Sequence, residues 1–185
     1  MHKINIDVSN FNELKTYYDE ILNIDKKTYK NSNDEPTPIN CICEMINKIP
    51  NELWEKKDLS ILDPCCGNGN FCIPILYKLL NYYDKKIIVE NILEFNDINE
   101  NRLENVKNIF CNEKYKLQIK NNDFLKFNND KKYDLIVANP PYAKLLENGK
   151  RASKNHNLIK DFIEKSLSLL KPNGYLLFIM IMIFQ

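Results

Sequence analysis

Histidine is nearly missing from this chain, His2 and His156 being the only two. Imidazole catalysis and histidine-built metal centres therefore have little to draw on. Arginine is just as scarce, with Arg102 and Arg151 set against many lysines, and the formal net charge is only +1. Such a balance creates no strong field over the whole surface, so contact with a polyanion must use a local basic face. The six cysteines include Cys41, Cys43 and the adjacent pair Cys65 and Cys66, but form no CxxC…CxxC array. That spacing argues against a zinc site and for reduced, partly buried thiols in a cytoplasmic protein. The opening "MHKINIDVSNF" has no apolar core of a secretory signal. The apolar run "YLLFIMIMIF" falls short of the roughly 20 residues that span a bilayer.

What is present describes one globular domain: 185 residues, 44% hydrophobic and 28% charged. Residues 1–35 are polar, with a helix-like piece at "FNELKTYYDEIL". Pro36 and Pro38 then break a loop, and "INCICEMINKI" spaces Ile39, Ile42, Met45 and Ile46 as a helix does. From there strands and helices alternate. "LSILDPCC" is an expected strand and "FCIPILYKLLNYY" a helix with Pro74 in its first turn. "KIIVENILEFN" is the second strand region, "NENRLENVKNIF" a helix, and "YKLQIKNND" and "YDLIVANPP" two further strands. "HNLIKDFIEKSLSLLK" is a long helix before the turn "KPNG" and a last strand. This order predicts an α/β fold with a doubly wound, mostly parallel sheet covered on both faces.

Four stretches at successive strand ends carry the chemistry. In "LDPCCGNGNF" a strand passes into a helix through Gly67 and Gly69, which permit a tight turn and close approach of a ligand to the backbone. Asp63, at the strand end, suits a cationic ligand. Position 72 is Cys, so the dinucleotide fingerprint GxGxxG is not met. Asp97 closes the next strand, where an acid either accepts hydrogen bonds from a ribose diol or caps the following helix. Asp123 and Phe124 follow the third strand; they suit a purine amino group and its ring, or simply a turn and the core. In "NPPY" the prolines cannot continue a central strand, so Asn139, Pro140, Pro141 and Tyr142 form a stiff loop beyond "LIVA". A doubly wound sheet sets these four ends side by side.

In this order the motifs resemble the S-adenosylmethionine-dependent amino-methyltransferases, most closely the N6-adenine DNA methyltransferases of restriction-modification systems and large DNA viruses. The resemblance runs from about Thr37 onward. It implies a Rossmann-like fold of the class I methyltransferase type and S-adenosylmethionine as cofactor. The contacts it implies are Thr37 and Pro38 over the methionine end, Asp63, Pro64, Gly67, Gly69 and Phe71 from the glycine loop, Asp97 with Ile98 at the ribose, and Asp123 with Phe124 at the adenine. Catalysis falls to "NPPY". Asn139 Oδ1 and the Pro140 carbonyl would each accept a hydrogen of the target amine, freeing its lone pair, while Tyr142 stacks on the base. Rigid acceptors explain the proline after Asn139. A base within a duplex cannot reach such a loop, so DNA is the expected partner with its adenine flipped out or single-stranded. No metal is required.

The loop 147–157 offers Lys150, Arg151 and Lys154 for phosphates, or is an ordinary solvated loop; His156 has no catalytic role in this reading. Residues 36–185 are expected to form a catalytic core without a target-recognition region, incomplete at its C-terminus. Its last strand would present an apolar edge, to be covered by a second polypeptide or a dimer mate. Three rivals stay open: methylation of a release-factor glutamine, methylation of RNA, and a non-catalytic cofactor-binding or regulatory subunit. N4-cytosine methylation is disfavoured, since those enzymes resemble this chain with Ser at position 139.

Overall fold

Strand β4 (Tyr133–Ala138) is buried at every residue, as an apolar run stopped by two prolines should be. It belongs to a computed structural model that describes residues 10–24, 35–110, 114–126, 128, 130–141 and 158–180. Around it lie β1 (Ile61–Asp63), β2 (Leu93–Asn96), β3 (Gln118–Lys120) and β5 (Leu170–Phe178), all parallel, in the order β3-β2-β1-β4-β5. The chain moves outward from β1 to β3 and then returns to β4 on the other side of β1. The strand order thus reverses between β1 and β4, and the crevice above their carboxyl ends is where such sheets bind ligands.

Alternation along the strands builds two cores. Ile61, Leu93, Phe95, Leu135 and Val137 face one layer, while Leu62 and Ile136 face the other. The first layer is the larger and takes in helix α1 (Phe11–Tyr17, continued as a π-helical turn Tyr18–Leu22), α2 (Ile39–Ile46), α3 (Asn51–Trp54), α4 (Cys72–Leu79), α5 (Lys85–Ile87, continued as a π-helical turn Ile88–Ile92) and α6 (Glu100–Ile109). The second is closed by Phe162 and Leu169 of α7 (Leu158–Leu169). Each fully buried Leu or Ile contributes about 1.5–3 kcal/mol relative to exposure. Leu14 and Tyr18 are both 0% exposed, so the polar first 35 residues hold two side chains of the main core.

Most element positions follow the sequence pattern, Pro74 included, as third residue of α4. One does not. Lys86 to Ile92, expected to open the second strand, is helical. Winding puts Ile88, Val89 and Ile92 on one buried face, and Glu90 Oε1 accepts the backbone N–H of Lys116. Tertiary burial here outweighs the β preference of the isoleucines. The expected "KPNG" turn appears as a register shift within β5, with Asn173 at φ +62. A Cβ on Gly174 would sit 3.0 Å from the Lys171 and Tyr133 carbonyl oxygens, so a larger residue there would require the backbone to give way slightly.

Candidate functional site

Asparagine and backbone bonds fix the loop between β1 and α4. The Cys66 N–H donates to the Asn96 carbonyl at 2.9 Å, and Asn96 Nδ2 donates to the Pro64 carbonyl at 2.8 Å and the Asn122 carbonyl at 3.1 Å. Gly69 N–H closes a tight turn on Cys66 O at 2.8 Å. Gly67 and Gly69 have φ of +54 and +86, a region costly for other residues. At Gly69 an added Cβ would meet Phe110 and Val106 at 3.2 and 3.4 Å; at Gly67 it would meet nothing within 4 Å among the described residues. Gly69 is thus packed from below, whereas Gly67 borders open space.

That space is an open cleft, lined among the described residues by Glu35, Pro36, Thr37, Cys65, Cys66, Gly67, Asn68, Asn70, Phe71, Arg102 and Asn139. Three chain segments far apart in sequence meet here: the loop before α2, the glycine loop, and the end of β4. Asn139 Nδ2 donates to the Glu35 carbonyl at 2.9 Å. The reverse orientation would press two oxygens together, so the bond sets the amide plane and turns Oδ1 away from Glu35. The Cys65 thiol donates to the Asn139 carbonyl at 3.6 Å, linking the glycine loop to the same residue. Asn70 Nδ2 donates to the Thr37 carbonyl at 3.0 Å, which ties the loop before α2 to the glycine loop.

The two strand-end acids nearest the cleft differ. Asp97 is engaged by backbone: the N–H of Gly67 and that of Asn99 each donate to its carboxylate at 2.8 Å. Asp63 lies 1% exposed, and among the described residues neither carboxylate oxygen has a full hydrogen bond. Burial pushes its pKa well up; the backbone of Cys65 opposes this and the Asp97 charge adds to it. Cys66 and Cys72 are likewise pushed up by burial, so these thiols are neutral packing groups.

Of the residues singled out from sequence, Thr37, Gly67, Phe71 and Asn139 line the cleft. Asp63, Pro64, Gly69 and Asp97 lie behind its wall or support it. Pro38 caps α2, and Ile98 stands 72% exposed next to Asp97. Asp123 accepts the Leu125 N–H at 3.1 Å at the end of β3. Phe124 is 3% exposed and packs on Phe162, in the second core rather than in the cleft. Pro140 is buried and Pro141 half-buried; Tyr142 and the loop 147–157 lie outside the described residues. Sequence reasoning missed Asn68, Asn70, Cys65 and Arg102. The alternation "GNGN" was a usable signal, since it repeats an amide on either side of a left-handed glycine. Arg102, one of only two arginines, sits five positions after Asp97 and is 6% exposed.

Comparisons with known proteins follow from this geometry. The Eco57I restriction-modification methylase family profile matches residues 39–184. The type II methyltransferase M.VspI of Vibrio sp. (strain 343) is 30% identical over 181 residues, covering 90% of this chain and 41% of that protein. The chain thus spans less than half the length of this relative. A protein assigned to the class I S-adenosylmethionine-dependent methyltransferases, from Listeria monocytogenes, superposes with a TM-score of 0.63 at 19% identity, over 94% of this chain and 55% of its own. One assigned as the modification subunit of a type I restriction enzyme, from Vibrio vulnificus YJ016, gives 0.63 at 16% identity, over 90% and 37%. At these identities the structures speak for the fold alone, which is Rossmann-like and of the class I methyltransferase type.

Proposed function

Because this chain belongs to the Eco57I restriction-modification methylase family, we propose that it carries the methyl-transfer core of a DNA methyltransferase acting on the N6 amino group of adenine. One observation carries the reading: the loop before α2, the glycine loop and Asn139 share a single cleft at the β1/β4 switch point. Methylases of this family use S-adenosylmethionine, which when bound supplies an electrophilic methyl group on a sulfonium.

The residues present fit that cofactor. A buried carboxyl lacking a full hydrogen bond, Asp63, suits its cationic methionine end. The open face of Gly67 admits a ligand against the backbone. Thr37, Phe71 and Arg102 are the further lining groups that would hold it. Asp97, with Ile98 beside it, would shape the ribose subsite, and Asp123 the adenine end. Asn139, its NH2 end committed to Glu35, presents Oδ1 as acceptor for one hydrogen of the target amine, and Pro140 its carbonyl for the other. Two fixed acceptors draw the nitrogen toward tetrahedral geometry and release its lone pair without reorganising at the moment of reaction. Holding that nitrogen in line with the methyl group supplies a further part of the rate. Pro141 stiffens the loop and Tyr142 would stack on the extruded base.

Tritiated S-adenosylmethionine with single-stranded, adenine-containing DNA should label N6 of adenine, and Asn139→Ala should slow the transfer by about 100-fold or more. Label on RNA or on a release-factor glutamine instead of DNA, or an undiminished rate in the variant, would overturn the reading.

A further inference from the structure

The helix 11–22 precedes the span matched by the family profile, which begins at residue 39. It nevertheless reaches the tip of the glycine loop at two points. Tyr18, 0% exposed, donates its hydroxyl to the Asn68 carbonyl at 2.6 Å. Asn23 Oδ1 accepts from Asn70 Nδ2 at 3.2 Å. Asn68 and Asn70 flank Gly69, whose absent Cβ would lie 3.5 Å from the same Tyr18 oxygen.

Helical winding explains how two residues five apart serve one target. In an α-helix they would point about 140° apart, since each residue advances about 100°. From Tyr18 the helix unwinds to π geometry, and the Asn23 N–H donates to the Tyr18 carbonyl at 2.8 Å. In π winding the fifth residue comes back to within about 50° of the first, against about 140° in an α-helix, so Tyr18 and Asn23 share a face. Ile21, on the same turn, points out and is 60% exposed. The π turn places two polar groups where an α turn would place one.

We propose that this π turn is a latch for the cofactor loop, with Tyr18 and Asn23 as positioning residues that hold Asn68–Asn70 in the shape that receives S-adenosylmethionine. The inference rests on the cofactor reading above. Neither residue lines the cleft; both act through the backbone and amides of the loop. Without the hydroxyl, the Asn68 carbonyl loses its buried donor and the left-handed turn at Gly69 loses support.

Two measurements on the full chain test it. Hydrogen exchange of the unliganded protein should show faster exchange at the backbone amides of residues 67–71 in Tyr18→Phe and in Asn23→Ala, with β1 and β4 unchanged. Calorimetry should show the Kd for S-adenosylmethionine raised about fivefold in each variant, equivalent to one net hydrogen bond. Ile21→Ala, on the same turn but off the latch face, should leave both readouts at wild-type values. A residue that merely stabilises the fold would lower the melting temperature and leave the Kd of the folded protein unchanged, and that result overturns the latch. So does an effect of Ile21→Ala equal to the others. Should Tyr18→Phe fail to fold, Asn23→Ala, at a half-buried helix end, decides alone. Failure of wild-type protein to bind S-adenosylmethionine would instead sink the cofactor reading, and the latch with it.

Discussion

Asp63 and Asp134 stand at opposite ends of neighbouring parallel strands, each 1% exposed, and their surroundings could hardly differ more. Asp134, at the amino end of β4, receives Lys171 Nζ at 2.7 Å, Lys56 Nζ at 3.0 Å, and the N–H and hydroxyl of Ser60 at 2.9 and 3.1 Å. Burial raises its pKa, but these donors outweigh burial and leave it below the ordinary carboxylate range. Glu94 on β2 behaves alike: burial is opposed by Lys120 at 2.6 Å and Lys131 at 2.8 Å, and its pKa is lowered. Asp63, at the carboxyl end of β1, has no full hydrogen bond among the described residues, and burial pushes its pKa up. One end of the sheet satisfies its buried acids and so holds the strands together. The other leaves an acid without such donors among the described residues, at a cost to folding.

The largest effect that would test this contrast is the loss of Asp134. Asp134→Ala should lower the unfolding free energy by about 3 kcal/mol in urea titrations, since two lysines and a buried N–H lose their acceptor. Both lysines are part-exposed and recover some hydration, which keeps the loss near the low end for a broken buried pair. Asp63→Asn should act in the opposite sense. With the folded pKa raised, the native state binds more protons than the unfolded chain above about pH 4, so stability falls as pH rises through that window. The variant should therefore be more stable than wild type at pH 8 by about 1 kcal/mol without cofactor, and the gain should shrink at pH 5. It should also bind S-adenosylmethionine about tenfold more weakly. Equal pH profiles for the two proteins would break the contrast. The smallest effect belongs to the exposed pair Lys126–Asp123 at 3.4 Å, where Lys126→Ala should change stability by no more than about 0.5 kcal/mol.

Much of this was readable in the residues. "LIVA" before two prolines forecast β4, and the alternation of strands with helices forecast a parallel sheet and the side-by-side placement of Asp63, Asp97 and Asn139. Tertiary neighbours decided the rest. The stretch Lys86–Ile92 has strand-like composition and is helix because that winding buries three apolar side chains. Phe124 was offered for a purine and found Phe162 instead, at a centroid distance of 5.3 Å. The asparagines were the least legible. Asn96, Asn68 and Asn70 resemble the many exposed ones in the sequence, and only the folded chain shows that each spans two segments.

The register of β1 against β4 also bears on how the molecule comes into being. Ile61 pairs with Leu135, and Asp134 holds Ser60 across 74 positions of chain. During synthesis the glycine loop leaves the ribosome long before the strand that walls one side of its cleft. Closing so distant a pair costs loop entropy before any contact repays it, and parallel pairings of this kind form slowly. The pocket therefore acquires its shape only once β4 has emerged, and the half-made sheet carries an open edge along β1 until β4 arrives.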